Sequence, residues 1–178
     1  MPDRATRVVL VGFMGSGKTS VGRALAARLG FRFVDLDARI EEAAGQRVAE
    51  IFREKGEPAF RELERSAAAE ALREERVVIA AGGGAFADPA TRDILRQGTF
   101  SVYLACDLDT ILERVPKDGS RPLAGNRETM QALLSARESS YRQADLTLDA
   151  SRRSPDAIAE EAARMLALPA PGERAPRR

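Results

Sequence analysis

Near the N-terminus, Gly12-Phe13-Met14-Gly15-Ser16-Gly17-Lys18-Thr19 has the spacing G-x-x-x-x-G-K-[ST] of a phosphate-binding loop. In such a turn the backbone N–H groups surround a polyphosphate, and Gly12, Gly15, Ser16 and Gly17 keep that backbone accessible. Lys18 would reach the β- and γ-phosphates. The hydroxyls of Thr19 and the following Ser20 can ligate Mg²⁺. The apolar run Val8 to Val11 precedes the loop, and a helix is expected to begin near Gly17, with its positive dipole end at the bound charge. The residues therefore predict binding of a nucleoside triphosphate.

Four further clusters could act with that loop. Asp35-Leu36-Asp37 closes the second predicted strand, where period-2 geometry would aim both carboxylates one way and Leu36 into the core. One acid could lie near Mg²⁺ and the other could face an acceptor hydroxyl, although Asp37 could equally cap a helix starting at Ala38. In Gly56-Glu57-Pro58-Ala59-Phe60-Arg61, Gly56 ends one helix and Pro58 starts another, placing Arg61 on an exposed turn within reach of Glu57 or Glu64. Gly82-Gly83-Gly84 follows the third strand and permits unusual dihedrals and close approach of backbone to a ligand. Arg114 and Arg121 flank the start of a loop at 116–127 rich in Gly, Pro, Lys, Arg and Asn, which reads as a mobile lid whose arginine can neutralise a transferring phosphoryl group. Arg137 lies on the next helix.

These residues need a scaffold that brings strand ends together. Short apolar runs at 7–11, 32–36, 77–81, 100–104 and 146–148 alternate with helical patterns, which predicts an α/β fold with a parallel sheet. The first helix repeats Val21, Leu25 and Leu29 on one face and stops at Gly30; the last has Ser154 as N-cap, Pro155 at its first position and Ile158, Ala162, Met165 and Leu166 on one face. The long helical stretch between the second and third strands exceeds a plain crossover and reads as an inserted functional region. The tail at 169–178 holds three prolines and no apolar face, and is expected to be disordered.

Composition narrows the class. A chain of 178 residues fits one domain. The 28 Lys plus Arg balance 27 Asp plus Glu, so no basic footprint marks a nucleic-acid or membrane partner. The single cysteine, Cys106, excludes an intrachain disulfide and reads as a small strand-end residue, while the lack of histidine argues against structural zinc. No segment approaches membrane-spanning length, and residues of any signal-like start are committed to the phosphate loop, so a cytoplasmic protein is expected.

Taken in order, Gly12–Thr19, Val21-Gly22-Arg23, Leu29-Gly30, Asp35-x-Asp37, Ile40-Glu41, Gly45, Ile51-Phe52, Gly56-Glu57, Phe60-Arg61, Glu64, Gly82–Gly84, Arg121-Pro122-Leu123 and Arg137 resemble the shikimate kinase family. The resemblance runs from about residue 7 to 167 and implies a P-loop three-layer α/β/α sandwich like that of nucleoside monophosphate kinases. It implies a five-stranded parallel sheet, substrate-binding helices at about 38–74 and a mobile lid at about 114–127. It also implies transfer of the ATP γ-phosphate to the 3-hydroxyl of shikimate by a monomer. On that resemblance Asp37, Arg61, Gly82, Gly83, Gly84 and Arg137 hold shikimate, with Glu64 supporting them. Lys18, Asp37 and Arg121 are catalytic, Thr19 and Asp35 serve Mg²⁺, and Arg114, Arg153 and Pro155 flank the adenine. The chain departs from the family at Thr19-Ser20, Ala124 and Ser154; the last bears on the adenine side. The residue types suit the implied chemistry, since a carboxylate wants bidentate guanidinium donors and hydroxyls want a fixed acceptor. A related kinase such as a gluconate kinase, and a non-catalytic ligand-binding module, are the alternatives.

Overall fold

The computed structural model describes residues 6–115 and 126–167. Strands β1 (Arg7–Val11), β2 (Arg32–Asp35), β3 (Val77–Ala80), β4 (Phe100–Ala105) and β5 (Leu146–Asp149) form one sheet in the order β2-β3-β1-β4-β5, with every pairing parallel. Around it lie α1 (Lys18–Leu29), α2 (Leu36–Ala44), α3 (Val48–Ala71), α4 (Pro89–Leu95), α5 (Leu108–Arg114), α6 (Arg127–Tyr141) and α7 (Pro155–Leu166). A parallel sheet must be covered on both faces, which explains why β3 is buried throughout and β1 from its second residue onward.

Side-chain alternation divides the core into two layers. Val9, Val11, Ile79 and Tyr103 pack with Ile51, Phe60 and Ala67 of α3 and with Met130 and Tyr141 of α6. Val8, Leu10, Val78, Val102 and Leu104 pack with Val21 and Leu25 of α1 and Ile158 and Ala162 of α7. The architecture is the expected α/β/α sandwich. Met165, expected on the buried face of α7, is instead 37% exposed. Gly22 is required by packing: a Cβ there would stand 2.4 Å from the Phe33 ring, so α1 could not lie so close to β2.

The stretch between β2 and β3 supplies the extra helices. α2 starts directly after β2, with the Asp35 carboxylate accepting from Ala38 N–H at 3.3 Å. Gly45 ends it at φ 63°. α3 is bent at Gly56, whose φ of 80° and ψ of 172° leave the helical region, and Pro58 restarts the helix two residues later, where its missing N–H costs little. Residues 116–125, most of the expected lid including Arg121, and the tail at 169–178 lie outside the described residues.

Candidate active site

The phosphate loop leaves β1 with Gly12, Gly15 and Gly17 at φ 150°, 75° and 94°, a backbone path that side-chain-bearing residues resist. It delivers α1 with no side-chain cap, whereas α2, α4, α5, α6 and α7 are capped by Asp35, Asp88, Asp107, Asn126 and Ser154. The first N–H groups of α1 are thus left for an anion at the positive end of the helix. The Lys18 ammonium folds back on the loop, donating to the carbonyls of Gly12 at 2.8 Å and Phe13 at 2.9 Å. Ser16 is fully buried beneath the turn, where its Oγ would lie 2.9 Å from a Cβ on Gly12. Arg114, at the end of α5, sets a guanidinium nitrogen 3.6 Å from where a Cβ on Gly17 would be.

The two aspartates reach the site by different routes from the one the sequence suggested. Strand β2 ends at Asp35, so period-2 alternation does not extend to Asp37, which sits in the first turn of α2. Asp35, not Asp37, is the N-cap. Its other oxygen, Oδ2, accepts from Thr19 Oγ1 at 2.8 Å, joining β2 to the start of α1. Both aspartates line the same cavity, and Leu36 between them is fully buried as expected. Thr19 and Asp35 together present hard oxygen donors suited to Mg²⁺ rather than to a soft metal. Among the described residues no three His, Cys, Asp or Glu side chains converge as a metal cluster, so a cation here would depend on Thr19, Asp35, ligand oxygens and water.

Beside this lies a smaller pocket, of about 60 Å³, opening into a cavity of about 570 Å³ that holds Lys18, Thr19, Ser20, Asp35 and Arg114; Met14, Asp37, Val48, Gly82 and Gly83 line both. Arg61, Glu64, Gly84 and Arg137 belong to the smaller one. The glycine run does not use positive φ at any of its three positions, contrary to the expectation of unusual dihedrals. Its need is space. A Cβ on Gly82 would meet Glu64 Oε1 at 2.7 Å and Asp37 Oδ1 at 3.0 Å; on Gly83, Met14 N at 3.3 Å and Arg137 Nη1 at 3.6 Å; on Gly84, Arg61 Nη2 at 2.1 Å. Gly82 makes room for Glu64 and Asp37, Gly83 for the Met14 backbone, and Gly84 for Arg61.

Burial sharpens the electrostatics. Arg61, expected on an exposed turn, keeps only 12% of its side chain accessible and is held by Glu57 at 3.0 Å and Glu64 at 2.7 Å. Burial works against its charge, yet the two carboxylates outweigh it and raise its pKa. Glu64 is fully buried, and burial pushes its carboxyl up to about 7, with Asp37 and Asp88 adding to the rise and Arg61 opposing it. Its Oε1 finds no hydrogen-bond partner among the described residues. Arg137, which as a lone arginine could have been a solvated charge, is 8% exposed and lies over the Phe13 ring at 5.9 Å. Tyr141, not foreseen from the sequence, donates its hydroxyl to the Gly83 carbonyl; its only sequence signal is a position four residues beyond Arg137 on one helix.

Two expected residues lie apart. Arg153 and Pro155 line neither cavity: Arg153 donates to Glu161 at 2.7 Å and to the Asp149 carbonyl at 2.9 Å, and Pro155 opens α7. Arg121 falls outside the described residues.

Comparison with known proteins accounts for nearly the whole chain. The family model for shikimate kinase matches residues 14–167. A shikimate kinase from Geobacter sulfurreducens is 43% identical over 166 residues, covering 92% of each chain. The structure of shikimate kinase from Acinetobacter baumannii in complex with shikimate superposes with a TM-score of 0.88 at 33% identity, over 92% of this chain and 94% of that one. A gluconokinase from Sinorhizobium meliloti, at 22% identity and TM-score 0.60 over 92% of this chain and 93% of that one, shares the fold alone. Identity of this size over such coverage reaches beyond a common architecture: the chain belongs to the shikimate kinase family and is a kinase of the kind that uses ATP.

Proposed function

We propose that the chain transfers the γ-phosphoryl group of ATP to the 3-hydroxyl of shikimate, giving shikimate 3-phosphate and ADP. The observation that carries this reading is the pairing of two buried guanidiniums, Arg61 and Arg137, with the Asp37 carboxylate in a small pocket that opens onto the phosphate loop. Shikimate is a ring with one carboxylate and three hydroxyls. Planar, bidentate donors suit the carboxylate, and a fixed acidic acceptor suits the hydroxyls. A gluconate kinase needs to grip a flexible open chain, to which this small pocket is less suited.

Asp37 accepts a hydrogen bond from the attacking hydroxyl, orients it and takes up its proton as the O–H bond breaks and the O–P bond forms. The bond from the γ-phosphorus to the bridging β-γ oxygen breaks, and ADP leaves with the electron pair. Phosphoryl transfer demands alignment and charge neutralisation more than covalent help. Lys18 and the backbone of Gly15 to Thr19 bear on the polyphosphate, Arg114 borders it, and Arg121 is assigned to the charge of the phosphates. Mg²⁺ would be held at Thr19 and Asp35 and would supply charge neutralisation on the phosphates. Gly82, Gly83 and Gly84 let the acceptor ring approach the backbone, and Glu64 holds Arg61. Arg153 and Pro155 are assigned to the adenine side.

We also read the chain as a cytoplasmic monomer with no nucleic-acid or membrane partner. Supporting this are its balanced charge, the absence of a long apolar helix among the described residues, and Met165 as the one large exposed hydrophobic side chain there. A coupled ADP-release assay with shikimate, quinate and gluconate tests the substrate. Shikimate should be preferred by at least about tenfold in kcat/KM, a margin worth about 1.4 kcal/mol. Equal rates with gluconate would overturn the assignment.

A further inference from the structure

Among the described helices, α1 and α3 begin without a side-chain cap hydrogen bond. For α1 the reason is the phosphate loop. At the start of α3 stands Arg47, at φ −72° and ψ 151°, where α2 and α4 to α7 place Asp, Asn or Ser. A guanidinium has no acceptor to offer a helix N-terminus, so arginine is a poor residue there. The acids around it are committed to other groups. Glu50 accepts from the Arg47 backbone N–H at 2.9 Å, Glu41 of α2 accepts from the Val48 N–H at 2.9 Å, and Glu54 accepts from the Gln46 side chain at 2.8 Å. These bonds fix the backbone beneath Arg47, while among the described residues no carboxylate is paired with its exposed guanidinium.

What Arg47 borders gives that free charge a use. It lines the larger cavity together with Lys18 and Asp35, whereas its neighbour Val48, and Asp37, line both cavities. Arg47 therefore stands on the nucleotide side of the seam, on the wall built by the inserted helices and not by the phosphate loop. Three carboxylates, Asp35, Asp37 and Glu41, line the same cavity. A phosphoryl group passing from the loop toward Asp37 comes closer to these acids, and their repulsion opposes its arrival. A guanidinium on that wall offsets them, and its planar donors suit phosphate oxygens.

We propose that Arg47 is a specificity-determining residue for the phosphorylated acceptor: its guanidinium receives the transferred phosphoryl group on the insert side of the cavity and so distinguishes product from unphosphorylated substrate. This rests on the reading of the chain as a kinase acting on shikimate. The missing cap fits the role, because a local rule is broken where the side chain has a ligand to meet and not a helix to close. Arg47→Ser would complete an S-x-x-E capping box with Glu50, so it should stabilise α3 while weakening product binding.

The test compares wild type, Arg47→Ser and Arg47→Lys by thermal melting and by calorimetric binding of shikimate, shikimate 3-phosphate and ADP. Loss of a charge-assisted contact predicts a shikimate 3-phosphate Kd raised about 5-fold or more in Arg47→Ser, with shikimate and ADP Kd within about 2-fold of wild type. The melting temperature of Arg47→Ser should equal or exceed that of wild type. Arg47→Lys keeps a cation and should hold shikimate 3-phosphate within about 3-fold of wild type. A wild-type Kd for shikimate 3-phosphate in Arg47→Ser, an equal rise for shikimate or for ADP, or a Lys variant as impaired as the Ser variant would each overturn the proposal. Failure of the wild-type protein to bind shikimate at all would overturn the kinase reading, and this inference with it; normal shikimate binding with no selective loss of product in Arg47→Ser would overturn only the role of Arg47.

Discussion

Arg61 Nη1 donates to Glu64 Oε2 across 2.7 Å, one helical turn apart on α3, and ties the rim of the smaller pocket to a carboxyl with no exposed surface. The same carboxyl directs its other oxygen toward Gly82 and lies close to Asp37. Two acids and a guanidinium are thereby packed over one backbone turn, and a change in any of them is felt by the others.

Glu64 gives that coupling a pH signature. Burial lifts its carboxyl to about 7 from an ordinary value of 4.5, so the folded protein binds this proton more tightly than the unfolded chain does. Its contribution to stability is complete below pH 4.5 and is lost as pH rises through about 7. Glu64→Gln removes the titration, so its melting temperature relative to wild type should become more favourable from about pH 5 to about pH 8. Thermal melts of both proteins across that range check it; a difference independent of pH would mean the carboxyl titrates normally.

Arg61→Lys separates a carboxylate clamp from a structural cation. Lysine can still reach Glu57 and Glu64, so the fold should survive, but an ammonium cannot present two parallel donors. Shikimate KM should rise by about 10-fold or more, equivalent to about 1.4 kcal/mol, while ATP KM stays near wild type. An unchanged shikimate KM would place the carboxylate elsewhere.

Gly84→Ala attacks the same guanidinium from the backbone side. The new methyl would stand 2.1 Å from Arg61 Nη2, and φ at this position is not positive, so the side chain rather than the turn should yield. The variant should fold with near-normal melting and show raised shikimate KM. Circular dichroism with kinetics tests this, and full retention of shikimate affinity would show that Arg61 can move without consequence.

Asp37→Asn removes a charge and keeps a hydrogen-bonding side chain. Because Asp35 provides the helix cap, the substitution at 37 should leave melting temperature unchanged while kcat falls by about 10²-fold. Preserved kcat would exclude Asp37 from the reacting hydroxyl.

Lys18→Ala should cost about 10² to 10³ in kcat, the usual loss for a transition-state charge contact. Its two bonds to loop carbonyls predict only a small stability loss. More than about a tenth of wild-type turnover would remove the assignment of this loop.

Much of this arrangement was legible in the sequence because local rules specify it. The glycine pattern and Lys18 announced the phosphate loop, alternating apolar runs announced the sheet, and Gly56-x-Pro58 announced the break in α3. What eluded the sequence depends on contacts between distant elements. The step from strand to helix at Asp35 changed the reason both aspartates face one cavity, since the cap bond to Ala38 starts α2 one residue before alternation could continue. The glycine run looked like a conformational device, whereas Glu64 and Arg61, brought from α3, and the Met14 backbone set its requirement. Tyr141 gave no warning because its partner Gly83 lies far away in the chain.

The strand order carries a consequence for how the molecule is made. β1 is the first strand and lies at the centre, with Val8 to Leu10 paired on one side to residues 78–80 and on the other to residues 100–102. Until those later segments have emerged from the ribosome, this apolar central strand has no neighbour on either edge. Such distant pairing slows folding and leaves apolar edges open to other chains. The chain must therefore wait for more than half its length before that strand is enclosed, and crowded nascent chains would be where it goes astray.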